Sequence, residues 1–135
     1  MIASIPLLIV PFLLYNIALA GFWDAGPGGD IWAAELFSFR MMSGGTFSMT
    51  IGIMQIGIAL ILFFAEIVKS TRTSNASVVD HLLSTFVFVA YLVEFLLVVG
   101  AAHAVFFILM LISFIDVLAG FSVSLRAAGR DVNLN

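Results

Sequence analysis

Glu66, Glu94 and Asp116 are carboxylic acids set inside long apolar runs of the chain. In such places a carboxyl relays protons, binds cations or hydrogen-bonds a neighbouring helix, and its cost demands one of these reasons. Asp116 makes the strongest claim. A charged Asp at the centre of a membrane helix costs about 2.5–3.5 kcal/mol on insertion scales. Desolvation disfavours the charged form, so Asp116 is expected to be protonated and to donate a hydrogen bond, with Gln55 as partner at similar depth. Glu94, with Tyr91 one turn earlier, extends a candidate proton or cation route toward the other surface. Glu66 has Lys69 at i+3, and the two read as an interfacial pair reaching headgroup water. Against the relay stands plain packing: an interhelical hydrogen bond worth about 1 kcal/mol fixes helix positions without moving anything.

Other chemistry is poorly supported. His81 and His103 lie at opposite ends of their helices, roughly 30 Å apart by helical rise, so they cannot share one haem or metal, and capping or interfacial roles suit them. The glycine pairs match no phosphate loop, and there is no nucleophile elbow or zinc motif. The chain has no Cys, which removes thiol catalysis and thiolate metal sites. Five basic residues cannot build a phosphate-tracking surface, which excludes nucleic acid as a partner. Neither a cofactor nor a metal is implied.

The elements that carry the acids are membrane helices. Of 135 residues, 63% are hydrophobic and 10% charged, so a water-soluble fold could not hide the apolar surface. A bilayer is the solvent such a chain requires. Four segments reach the roughly 20 residues a span needs: helices at about 2–22, 46–68, 78–99 and 104–125. The expectation is an all-α, single-domain, four-helix integral membrane bundle over residues 1–135. Pro6 and Pro11 should kink or fray the first helix. Its Ala18-Leu19-Ala20 run resembles a signal-peptidase site, but without a basic leader it reads as a retained span. The loop at residues 23–45 opens with turn material, and Asp30 is placed to cap a short interfacial helix through Arg40, with Trp32, Leu36 and Phe39 on one stripe. Trp23 and Trp32 suit the headgroup level. Ser77 and Asp80 have capping-box spacing at the start of the third helix.

Residues three or four apart share a helix face. Ser48, Gly52, Gln55, Ala59 and Glu66 then form one stripe. Asp80, Val87, Tyr91, Glu94, Val98 and Ala101 form a second, and Ser113, Asp116, Gly120 and Val123 a third. Small and polar faces pack helix on helix, so the acids should point inward, staggered in depth. Phe107, Phe114 and Phe121, with Phe88 and Phe95, should face lipid or another subunit. Lys69, Arg72, Arg126 and Arg130 against Arg40 place both termini in the cytoplasm, in a bacterial inner membrane. Together these readings favour a non-catalytic accessory or structural subunit, surrounded by lipid and bound to other membrane subunits or to copies of itself. The rivals are an oligomeric proton or cation channel and, more weakly, a lipid- or quinone-binding module.

Overall fold

The computed structural model describes residues 5–22, 29–71 and 75–133. Its elements, in order, are helix α1 (Ile9–Ile17), strands β1 (Glu35–Arg40) and β2 (Thr46–Thr50), and helices α2 (Ile51–Ser70), α3 (Asn75–Leu97) and α4 (Ala104–Asn133). The chain is mostly helical. Three helices are long and apolar enough to cross a membrane, while α1 is an apolar helix shorter than a span. The four run alternately up and down. One end of the bundle carries the hairpin and the other carries Lys69.

The first helix is shorter than its apolar run because two prolines stand at its start. Pro6 biases its predecessor away from helical backbone. Pro11 is tolerated in the first turn, where its missing N–H breaks no established hydrogen bond. At the far end the chain widens into a five-residue π-turn, Ala18–Phe22, and leaves the helix at Gly21 with φ +97°. Only a glycine adopts that angle without strain.

The expected interfacial helix through Arg40 is absent. A single 3₁₀ turn, Ile31–Ala33, capped by Asp30, gives way to an antiparallel hairpin pairing Phe37 with Met49, Phe39 with Phe47 and Arg40 with Thr46. The tip is closed by Met41 N–H donating to the Gly45 carbonyl at 2.7 Å and Gly44 N–H donating to the Met41 carbonyl at 3.0 Å. The hairpin takes Thr46–Thr50 from the expected second helix, so α2 starts at Ile51, where Thr50 caps it by accepting the Ile53 amide. Strand alternation puts Phe37, Phe39, Phe47 and Met49 on one face and Ser38, Arg40, Thr46 and Ser48 on the other.

At the other end, α3 begins at Asn75, so Ser77 lies inside the helix rather than at its cap. Arg72 lies outside the described residues, as does Trp23. Helix α4 runs on to Asn133, past the expected end at Leu125. The buried core is aromatic at its centre: Phe106 packs against Tyr15, Tyr91, Phe12 and Phe95 with ring centroids 4.8–6.5 Å apart. Phe107, Phe114 and Phe121 are exposed. Phe88 and Phe95 are not. Both are partly buried where α3 packs on α4, with Phe88 5.2 Å from Phe114.

Candidate functional site

The polar side chains of α2 and α3 converge on the short α1 segment. Gln55 Nε2 donates to the Pro11 carbonyl at 2.6 Å, and the Tyr91 hydroxyl donates to the Leu8 carbonyl at 2.9 Å. The Leu7 amide donates to Glu66 Oε1 at 2.7 Å, and Lys69 Nζ donates to the Ile5 carbonyl at 2.8 Å. A helix start interrupted by two prolines leaves backbone groups without intrahelical partners, and hydrocarbon offers none. Glu66 and Lys69 supply two of them, at the Leu7 amide and the Ile5 carbonyl, while Gln55 and Tyr91 add a second hydrogen bond to the Pro11 and Leu8 carbonyls. One face of α2 and one of α3 therefore serve as a polar cradle for α1.

A buried cluster lies at the Lys69 end. Lys69 Nζ is 3.1 Å from Glu66 Oε1 and 3.5 Å from Asp80 Oδ1. Asp116 lies in the field of all three charges, with the Ser84 hydroxyl beside it. Glu66, Asp80, Ser84 and Asp116 are each less than a tenth exposed. One ammonium thus stands among three carboxyls. The expected Asp116–Gln55 pair does not form. Gly52 abuts Val105, so Asp116, eleven residues further along α4, lies about 16 Å down the bundle. That is level with Phe63, two turns beyond Gln55. Starting the second helix at residue 46 misplaces this level by more than a turn.

Glu94 stands apart from that cluster. Its Oε2 accepts from Asn16 Nδ2 at 2.9 Å, while the same amide group donates to the Phe12 carbonyl at 2.9 Å. Its Oε1 is buried and has no hydrogen-bond partner among the described residues. Tyr91, one turn away, is turned to α1 and packs its ring against Phe12 and Phe106. The proposed relay residues are therefore not brought into one chain of hydrogen bonds.

At the hairpin end, Trp32 stacks flat on Tyr15 with centroids 4.1 Å apart, and the Tyr15 hydroxyl donates to the Gly100 carbonyl at 2.8 Å. His103 Nδ1 accepts the Val105 amide at 3.0 Å, which caps α4. That leaves the proton on Nε2, 2.8 Å from Asp30 Oδ2. Asp30 Oδ1 in turn accepts the Trp32 amide at 3.1 Å. His103 holds the Asp30 carboxyl below the usual carboxylate range by this hydrogen bond, with help from the Trp32 amide. No cluster of metal-ligating side chains occurs among the described residues.

Ser84 escaped the sequence reading, although it continues the Asp80 stripe by four residues. The Asp30 cap was expected and forms, but its contact with His103 and that of Asn16 with Glu94 left no signal, because the partners lie 73 and 78 residues away.

Three membrane-length helices around a polar cradle define a helical membrane protein. Comparison with protein-family models, curated proteins and solved structures finds no match that would place it more narrowly.

Proposed function

We propose that the chain is a non-catalytic integral membrane subunit of a larger assembly, lying in a bacterial inner membrane with both termini in the cytoplasm. One observation carries this reading: the hairpin offers a face of Phe37, Phe39 and Phe47 that this chain leaves exposed. A two-stranded hairpin is marginal by itself, and an exposed apolar patch of this kind marks a contact surface. The polar side chains support the same reading. Gln55, Tyr91, Glu66 and Lys69 all hold α1 in place, which is a structural duty. The occupant proposed for the hairpin face is the apolar surface of another membrane subunit.

The test is photo-crosslinking from a benzophenone amino acid at Phe39 in native membranes, followed by purification in mild detergent. A discrete adduct with a second polypeptide is expected, lost in Phe37→Ser/Phe47→Ser protein that still folds. Crosslinking to lipid alone, with recovery of a stable monomer, would count decisively against a subunit role.

A further inference from the structure

We propose that the groove between α1 and α3 holds a single-chain amphiphile whose polar end donates a hydrogen bond to Glu94. The groove has a volume of about 570 Å³, walled by Phe86, Ala90, Val93 and Leu97, with Asn16 and Glu94 as its polar groups. Through Phe86 and Ala90 it meets a second cleft of about 280 Å³ between Phe12 and Leu83, lined by apolar side chains. Together they follow α3 from Leu83 to Leu97, about 21 Å of helix.

Glu94 is 8% exposed, and a buried acceptor without a donor is costly. Asn16 cannot satisfy Oε1, since both of its amide hydrogens are committed, to Oε2 and to the Phe12 carbonyl. The missing donor must come from outside the described fold. The terminal torsion of Glu is soft, so a small rotation brings Oε1 to a donor in the groove while Oε2 keeps Asn16. Glu94 lies three residues from the end of α3, about 5 Å along the axis, which sets the ligand's polar end near the bundle's hairpin-side rim. Its chain then runs toward Leu83 over hydrocarbon.

Size selects this occupant. Small-molecule sites span about 300–1,000 Å³. A partner helix about 10 Å across, lying along 20 Å, displaces on the order of 1,500 Å³ and could rest on the groove without entering it. A hydroxyl or an ammonium on a hydrocarbon chain supplies both the donor and the fit.

The experiment uses the isolated protein in phosphatidylcholine nanodiscs doped with oleyl alcohol, oleylamine or oleyl methyl ether, and reads Tm. No partner subunit is present, so the outcome does not depend on the subunit reading. The alcohol or the amine is expected to raise Tm by several degrees, and the ether, which has no donor, to leave it unchanged. A shift with both says that any donor suffices, and a shift with the amine alone says that the site selects a cation. Glu94→Leu, which removes the acceptor, should abolish the difference. So should Val93→Trp, which fills the groove from the lipid side without touching the core. Equal effects of ether, alcohol and amine, no effect of any, or a donor-specific shift that survives Val93→Trp overturns the proposal.

Discussion

Glu66 Oε1 accepts the Leu7 amide across 2.7 Å, so a residue near the end of α2 caps the turn that leads into α1. The same oxygen lies 3.1 Å from Lys69 Nζ, which in turn reaches the Ile5 carbonyl. Two side chains one turn apart therefore replace the partners that prolines and helix start deny to α1. Removing the acceptor leaves a buried amide without a partner, at a cost of about 1–3 kcal/mol. Glu66→Ala is expected to lose that much in reversible unfolding in mixed micelles, and Glu66→Gln, which keeps an acceptor, to lose less. Equal stability of Glu66→Ala and the native chain would refute the capping role.

Asp116 is buried beside Ser84, and this neighbour separates packing from proton handling. Removing one member of a buried pair strands the other, whereas replacing both with apolar groups is close to neutral. Ser84→Ala is expected to destabilise by about 1 kcal/mol, and Ser84→Ala/Asp116→Val to recover most of it. In proteoliposomes, Asp116→Asn should leave any proton flux unchanged. A flux in the native protein that Asp116→Asn abolishes would return Asp116 to the relay.

The buried stripes were legible because helical spacing alone determines them. Gly52, Gln55, Ala59 and Glu66 on α2, Asp80, Val87, Tyr91 and Glu94 on α3, and Ser113, Asp116 and Gly120 on α4 are all buried, whereas Val98 is exposed beyond the end of α3 and Ser48 and Val123 are only half-buried. What each faces was not legible. Gln55 meets Pro11 rather than Asp116 because the level of one helix against the next depends on where both begin. The hairpin shows why α2's start was misjudged. Thr46-Phe47-Ser48-Met49-Thr50 alternates strictly, and Phe37-Ser38-Phe39-Arg40 does so across a Ser-Gly-Gly turn, which is a hairpin pattern. The apolar content of the first run let it pass as the start of a helix, and the spacing of Trp32, Leu36 and Phe39 imitated a helical stripe. Short runs carry both periods at once.

Helix α3 meets α4 closely at His81 and Gly120, where a Cβ added to the glycine would run into the imidazole ring. Gly120→Val must push the two helices apart or force the ring out, and overpacking of this kind costs about 1–3 kcal/mol. The loss should shrink in His81→Ala/Gly120→Val, since residues in contact couple in a double-mutant cycle. Strict additivity of the two changes would show that the ring and the glycine do not share the contact.

The Asp30–His103 contact ties the segment before the hairpin to the start of α4, and its acid limb follows from the Asp30 carboxyl. His103 holds that carboxyl below its ordinary value, which is about 3.9 in an unfolded chain. A depressed acid contributes its stability above the unfolded value and loses it as pH falls through the lower, folded one. The latch is therefore intact at neutral pH and releases only below about pH 4. Asp30 is half exposed, so solvent screens the interaction and the global effect is small. The local effect falls on Trp32, whose amide Asp30 caps and whose ring lies 4.1 Å from that of Tyr15. In a Trp23→Phe background, Trp32 emission should hold steady from neutral pH to about pH 4 and change below it. Asp30→Asn should remove that acid transition. Persistence of the transition in Asp30→Asn protein would assign it to another group.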